Sequence, residues 1–287
     1  MTMRSPVDMK TLGALLLEWC VVLATIVATV RLAHWALWLP AIFVIATRQH
    51  ALLMLYHDAV HGLLARDLRL NDLLINFFVG VPHLLPVETY RPLHLLHHRK
   101  LGTAEDPERI LLYARQHWQY QPLTANALLR QLAGDLFLVN GLRTLAALSK
   151  NRGMPMPQRA TLLPAAVWAL AIGVVITRWP AALVPAAVLW FVPLLTMTNL
   201  LQKLRSFAEH SGGPGVTPGW NEWTYSWSPG LLGRLTIWPY NINRHLEHHR
   251  EPTVPWHALP SLSIESQPAL SGNSLPGLLY RKKRELL

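Results

Sequence analysis

Long apolar stretches alternate with basic, histidine-bearing stretches along this chain. Four of the apolar stretches approach or exceed the roughly 20 residues that a helix needs to cross a bilayer. They predict membrane-spanning helices at residues 12–30, 35–56, 162–177 and 180–201, and the third can extend at either end. Brief connections follow the first and third helices, so we expect two helical hairpins that cross the membrane and return.

Two shorter apolar runs, residues 73–86 and 231–240, are too short to cross a bilayer and are typical of helices at its surface. Tryptophan is abundant, with 12 copies, and residues 219–228 ("GWNEWTYSWS") place it among polar partners. Tryptophan is enriched at the level of the lipid headgroups. We therefore predict an all-α fold with four transmembrane helices in two hairpins and a cytosolic helical cap.

The composition favours a membrane protein. Hydrophobic residues make up 51% of the chain and charged residues only 15%, against roughly 25% charged residues in soluble domains. A net charge of +10 would ordinarily raise nucleic acid as a partner, but the charge positions favour a membrane and no nucleic acid. The single cysteine, Cys20, excludes a disulfide framework, a cysteine zinc site and an iron–sulfur cluster held by this chain.

The distribution of Lys and Arg predicts the orientation in the membrane. The N-terminal tail contains 2, residues 62–161 contain 12 and the segment after residue 201 contains 9, whereas each short connection contains one, Arg31 and Arg178. By the positive-inside rule, both termini and the long middle block are cytoplasmic. In a bacterium the protein would lie in the inner or plasma membrane.

These features predict one integral-membrane domain over residues 1–287. Its cytosolic cap would comprise residues 57–161 and 202–270, and residues 271–287 would form a solvated tail. The first apolar run lacks a small-residue cleavage site and contains Glu18, so we expect it to be a retained span and not a signal peptide.

Glu18 and Arg48 place charges inside predicted spans. A bare charge there costs several kcal/mol. At 1.5 Å per residue, Glu18 lies roughly 10 Å and Arg48 roughly 12 Å below the cytoplasmic end of its span. We expect the two to pair across the first hairpin; the alternative is that Arg48 extends its side chain to the interface.

Nine of the 14 histidines recur in a pattern of helical spacing. Residues at positions i, i+3 and i+4 share one face of a helix, and imidazole suits iron, zinc or copper. Nine ligands exceed what one ion can use, so the pattern predicts two metal ions. We interpret the other five, His34, His50, His83, His117 and His257, as interface residues. The nine candidate ligands are His57, His61, His94, His97, His98, His210, His245, His248 and His249.

These residues resemble those of the membrane fatty acid desaturase and hydroxylase superfamily. The resemblance extends from "RQHALLMLYHDAVHG" (48–62) through "LHLLHHRKLGTAEDPE" (93–108) and "LRSFAEH" (204–210) to "PYNINRHLEHHREPTVPWHALP" (239–260). It implies a four-span enzyme whose cytosolic cap holds two non-haem irons through the nine histidines. It also implies O₂ as co-substrate and a lipid or acyl chain as the substrate that is desaturated.

Several polar residues beside these histidines are candidates for cofactor binding. Metal-bound imidazoles usually donate their other N–H to a carboxylate or carbonyl, and Asp58, Glu209 and Glu247 adjoin the ligands, while Asp106 follows the second histidine stretch. Asn241 resembles an asparagine that often precedes the third stretch and would hold a metal-bound water. For each of these residues, a solvated or salt-bridged role is an equal alternative.

The resemblance implies that electrons come from an external donor such as ferredoxin, rubredoxin or cytochrome b5. The sequence contains no His-Pro-Gly-Gly segment, and one cysteine cannot build a rubredoxin or ferredoxin site. Four basic residues could steer an acidic carrier or bind anionic lipid heads, the simpler interpretation. They are Arg91, Arg99, Lys100 and Arg109.

Two departures from the family pattern leave the reaction open. Arg244 replaces an aromatic residue, and "HHREP" replaces "HHLFP". The following "PTVPW" resembles carotenoid ketolases, whereas "LRSFAEH" favours desaturases. A hydroxylase or ketolase of carotenoid, alkane or lipid on the same centre is therefore the alternative. A non-enzymatic metal-binding membrane protein is much less favoured. A membrane zinc hydrolase usually needs a carboxylate or serine among few histidines, so nine ligands argue against it.

Overall fold

The computed structural model describes residues 6–101, 103, 105–107, 125–149, 159–210, 224–262 and 270–271. Within the chain there are two compact units. The first unit comprises Met1–Arg91 with Arg152–Thr198, and the second comprises Pro92–Asn151 with Asn199–Leu287. Arg109, His117, residues 219–223 and nearly all of the predicted tail lie outside the described residues.

The described residues are mostly helical, as an all-α fold requires. One addition to that expectation is a two-residue parallel strand pair, β1 (Trp227–Ser228) with β2 (Leu270–Ser271). In chain order the described helices are α1 (Met9–Leu32), α2 (Trp38–Val60), α3 (Leu68–Ile75), α4 (Val87–Lys100), α5 (Ala125–Leu136), α6 (Val139–Ser149), α7 (Arg159–Arg178), α8 (Pro180–Pro193), α9 (Asn199–His210), α10 (Leu231–Thr236) and α11 (His245–Arg250). Short 3-10 turns lie at Trp35–Leu37 and Leu259–Ser261, and π-helical turns at Asn76–Gly80 and Leu194–Thr198.

In the described part of the chain, four helical segments are long and apolar enough to cross a membrane. They are Met9–Leu32, Trp35–Val60, Arg159–Arg178 and Pro180–His210. The predicted number of spans is therefore confirmed, and each helix is longer than its predicted apolar stretch. Polar residues extend the helices because they can cap or continue them at the ends: the Asp8 side chain accepts hydrogen bonds from the Lys10 amide at 3.3 Å and the Thr11 hydroxyl at 2.5 Å.

The predicted pairing of Glu18 with Arg48 is confirmed. The Arg48 Nη1 atom lies 3.2 Å from both carboxylate oxygens of Glu18. The Glu18 side chain is 4% exposed and the Arg48 side chain 18% exposed. This contact joins α1 to α2 inside the first unit and neutralises two charges that would otherwise be costly in a bilayer.

The short apolar run at residues 73–86 is not one continuous helix. It comprises the end of α3, the π-helical turn Asn76–Gly80 and a non-helical connection to α4. Within the described residues, three indole N–H groups from separate helices donate to carbonyls of this segment. The pairs are Trp19 to Phe78 at 2.8 Å, Trp168 to Phe77 at 2.8 Å and Trp190 to Pro82 at 3.0 Å. Backbone carbonyls that lack a helical partner need another donor where the fold shields them from water.

Asn76 connects this irregular segment to the first turn of α4. Its side-chain oxygen accepts from the Val87 amide at 2.8 Å, and its side-chain nitrogen donates to Glu88 at 2.8 Å. A side chain at Gly80 would bring its Cβ to 2.2 Å from the Asn76 side-chain oxygen. Only glycine therefore permits the turn that places Asn76 at the beginning of the helix bearing the second histidine stretch.

In the second unit, a buried ion pair fixes α9 against α5. Lys203 contacts the buried carboxylate of Asp135, and the Asn199 side chain donates to the same oxygen at 2.8 Å. Helix α10 confirms the helical part of the prediction for residues 231–240, and its Leu231 and Leu232 are exposed. Their position at a membrane surface stays a prediction.

Candidate metal centre

Seven of the nine candidate ligands lie in the described part of the second unit. His94, His97 and His98 lie on α4, and His210 ends α9. The remaining three, His245, His248 and His249, lie on α11. Six of the seven are buried and His98 is half-buried, although histidine is a residue that water solvates well. Burial of so many imidazoles requires polar or metal partners.

A strained turn precedes α11 and sets the direction in which that helix presents its three histidines. Tyr240 and Asn241 both adopt left-handed backbone conformations, with φ of 53° and 55°. Residues other than glycine seldom adopt this conformation. The side-chain amide of Asn241 donates to the Trp256 carbonyl at 3.1 Å, and the rings of Tyr240 and Trp256 meet edge to face with centroids 4.9 Å apart. These contacts hold the strained turn. The role predicted for Asn241, a water-bearing side chain, stays a prediction.

Trp227 joins the end of α9 to the segment that leads into α11. Its indole donates to the Ala208 carbonyl at 3.0 Å, and its amide donates to the Asn243 carbonyl at 2.8 Å. Its ring is 1% exposed and stacks on Trp238. Trp227 therefore brings His210 and His245 together, and nothing in the spacing of the histidines indicates this role.

The first group of imidazoles consists of His94, His98 and His248. Each offers a ring nitrogen, and these nitrogens all lie within 4.8 Å of one another. The His98 Nε2 atom is 3.0 Å from that of His94 and 3.3 Å from that of His248. The same nitrogen of three rings thus faces one point.

The second group consists of His97, His210, His245 and His249. The His245 Nε2 atom lies 3.0 Å from that of His210 and 3.1 Å from that of His249. Ring nitrogens of His97, His210 and His249 lie within 4.8 Å of one another. The rings of His98 and His249 stack with centroids 4.1 Å apart, so the two groups adjoin.

These distances fit metal ligands. Two imidazole nitrogens at about 2.1 Å from one ion lie about 3 Å apart when they occupy neighbouring coordination positions. A neutral ring nitrogen carries either a proton or a lone pair, so a cation satisfies several converging Nε2 atoms better than hydrogen bonds among them. Burial lowers the pKa of His245 and His249 well below the usual value, and neighbouring histidines lower it further. These rings are therefore neutral and have lone pairs to offer.

Asp106 orients one of the candidate ligands. Its carboxylate oxygens lie 2.9 and 3.1 Å from the His97 Nδ1 atom, and both side chains are buried. When Nδ1 donates its proton to this carboxylate, Nε2 carries the lone pair. The structure thus shows a carboxylate in contact with a candidate ligand, and the support of a metal-bound imidazole by Asp106 stays a prediction.

Replacement of Asp106 by Ala is expected to weaken metal binding by about 10–100-fold, because His97 would lose the group that fixes its tautomer and orientation. Titration of the purified apoprotein with Fe²⁺ or Co²⁺ measures the effect. Glu105→Ala is the matched control, since Glu105 is exposed and its carboxylate pairs with Lys100 at 2.6 Å. Equal metal affinity in the two variants would contradict the role of Asp106.

The other predicted polar residues have different partners. Glu247 contacts Ser226, and Arg244 donates to it at 2.8 Å. Glu209 is buried, contacts Arg205 and lies 3.5 Å from the His245 Nε2 atom. Sequence reasoning missed Arg205 and Ser226. The spacing of four residues between Arg205 and Glu209 on a helix is a signal that could have identified the first.

His57 and His61 lie in the first unit. His57 lies on the last turn of α2, and His61 follows that helix directly; their ring centroids are 5.6 Å apart. The adjacent Asp58 is buried, and its carbonyl accepts from the His61 amide at 3.0 Å. The predicted proximity of these two imidazoles is confirmed, and their membership of the ligand set stays a prediction.

Four helices able to cross a membrane and two buried groups of imidazoles define a membrane protein with candidate metal sites. The fatty acid desaturase family model matches residues 33–276. The chain therefore belongs to the fatty acid desaturase family and is a desaturase-type oxidoreductase. The dihydrorhizobitoxine desaturase of Bradyrhizobium elkanii is 27% identical over 251 residues, which cover 83% of this chain and 70% of that protein. No solved structure matches the chain.

Proposed function

We propose that the protein is an O₂-dependent di-iron desaturase of a lipid or acyl chain. The convergence of Nε2 atoms around His98 and around His245 carries this proposal, because it supplies two adjoining groups of neutral nitrogen ligands. Imidazole also suits zinc and copper. Membership of an oxidoreductase family favours a redox-active metal, and zinc has no redox chemistry.

The proposed ligand set contains all nine histidines, with His57 and His61 of the first unit completing the seven of the second. Two bound irons would supply the activation of O₂ and the removal of hydrogen from an unactivated C–H bond. The protein's own residues would hold and orient this pair. Asp106 fixes the tautomer of His97, and the buried surroundings of the imidazoles exclude bulk water, which protects a reactive centre from side reactions.

The proposed arrangement in the membrane follows the charge distribution. Two hairpins would cross the bilayer, and the histidines and both termini would face the cytoplasm. An external donor such as a ferredoxin, a rubredoxin or a cytochrome b5 would supply electrons. The surface available for steering it is smaller than the sequence suggested. Arg91 pairs with Asp72 at 2.5 Å, and Lys100 pairs with Glu105 at 2.6 Å. Arg99 remains exposed.

The test is an oxygen-dependent change in substrate mass. Membranes containing the iron-loaded protein would be incubated with a reducing system and with acyl lipids, free fatty acids and dihydrorhizobitoxine, the compound that the relative's name specifies. We expect a product that has lost two hydrogens, formed only when O₂ is present. A product that has gained one oxygen would instead establish a hydroxylase or ketolase. No mass change with any substrate, in protein shown to contain two irons and accept electrons, would contradict the proposal.

A further inference from the structure

Three carboxylates lie beside the histidine groups in the described part of the second unit, and each is held differently. Asp106 contacts the Nδ1 atom of His97, which is the far side of a ring that offers Nε2. Glu247 contacts Ser226 and Arg244. Glu209 lies beside an Nε2 atom, that of His245, at 3.5 Å. A carboxylate on the Nε2 side occupies the position of a metal ligand and not of a group that supports one.

The position of Glu209 is fixed from two directions. Its carbonyl accepts from the Tyr225 amide at 3.0 Å, and Arg205, one helical turn earlier on α9, contacts its Oε2 atom. The side chain is fully buried. A ligand oxygen of Glu209 and ring nitrogens of His210 and His245 all lie within 4.8 Å of one another. Glu209 is thus presented to the same point as two candidate histidine ligands.

The charges in this region favour a carboxylate ligand. An imidazole ligand brings no negative charge, so a set of such ligands leaves a buried dication uncompensated, which is costly. A carboxylate has two oxygens and about four lone-pair sites. Arg205 and a metal ion can therefore bind the same carboxylate.

We propose that Glu209 is a direct ligand of one of the two metal ions, together with His210 and His245. The inference rests on the proposed di-iron function and makes the two positions chemically different. The ion near His98 would be bound by imidazoles alone, and the ion near His245 by imidazoles and one carboxylate. A carboxylate ligand stabilises the more oxidised state of its metal, so the two irons would have different affinities and spectra.

The test compares Glu209→Gln with the native chain by metal titration and by metal content. Glutamine preserves the size of the side chain and removes its charge. We expect the native protein to bind two ions and Glu209→Gln to bind one with native affinity, while the second binds at least about tenfold more weakly. Glu251→Gln is the matched control, because Glu251 is an exposed glutamate two residues beyond His249. It should bind two ions normally.

A measurement on the native protein keeps the proposal testable if Glu209→Gln does not fold. Infrared difference spectra between metal-loaded and metal-free protein, with and without ¹³C-labelled glutamate, should show a shift of carboxylate stretching bands on metal binding. Absence of that shift, or two ions bound at native affinity in Glu209→Gln, would overturn the role of Glu209 alone. A native protein that cannot bind two ions would instead overturn the proposed function.

Discussion

The variant His98→Ala is expected to lose one of two bound metal ions and to reduce oxygen-dependent product formation by more than about 100-fold. Among the described residues of the second unit, the His98 Nε2 atom contacts the Nε2 atoms of both His94 and His248. Its removal leaves two separated nitrogens where three converge. Loss of a supporting residue costs 10–100-fold, and loss of a ligand at the centre of its group should cost more.

Metal analysis of the purified variant and product analysis by mass spectrometry measure these effects. His34→Ala is the matched control, because His34 is exposed and its Nδ1 atom accepts from the Ala36 amide at the start of a 3-10 turn. It should keep both ions and full activity. A His98→Ala protein that retains both would remove His98 from the ligand set and weaken the proposal of a metal-dependent reaction.

Local periodicity made much of the candidate site predictable. Spacings of three and four residues place imidazoles on one helical face whatever the rest of the chain does, so the stretches at 94–98 and 245–249 could be identified from sequence. Their division into two groups could not. His97 lies with His210 and His249, whereas its neighbour His98 lies with His248. That choice depends on how α4 and α11 pack, which residue spacing does not encode.

The sequence also could not predict the different contacts that the three carboxylates make. Asp106, Glu209 and Glu247 each adjoin a histidine stretch, and all were equal candidates for supporting a metal-bound imidazole. The structure separates them by which atom they face: Nδ1 of His97, Nε2 of His245, or Ser226 and Arg244. Ring orientation decides this, and it is set by tertiary contacts such as those of Trp227.

Part of the fold, like part of the candidate site, could be predicted from the sequence. The four spans were predictable, because length and apolarity alone determine whether a helix can cross a bilayer. The interruption of residues 73–86 was not, because the indoles that bind its carbonyls lie 59, 91 and 108 residues away in sequence. Nearby amides bind the carbonyls of Asn76, Val79 and Gly80. Those of Phe77, Phe78 and Pro82 accept from the distant indoles, and local sequence does not encode these contacts.

The variant Arg48→Met is expected to lower the free energy of unfolding by about 3–5 kcal/mol, because it leaves the Glu18 carboxylate buried without its partner. The Glu18 side chain is 4% exposed, and Arg48 contacts both of its oxygens at 3.2 Å. Unfolding in one fixed lipid or detergent composition measures the loss. Arg178→Met is the control, since Arg178 is exposed at the end of α7 and should change stability by less than about 0.5 kcal/mol.

The double variant Glu18→Leu/Arg48→Met distinguishes an ion pair from two independent charges. Replacement of a buried ion pair by apolar residues of similar size is often neutral or stabilising, so the double variant should regain most of the stability that Arg48→Met loses. The two single effects would then fail to add by about 0.5–3 kcal/mol. Strict additivity would mean that Arg48 reaches the interface independently of Glu18, which was the alternative expectation from the sequence. The contact between α1 and α2 would then contribute packing to the first unit without charge compensation.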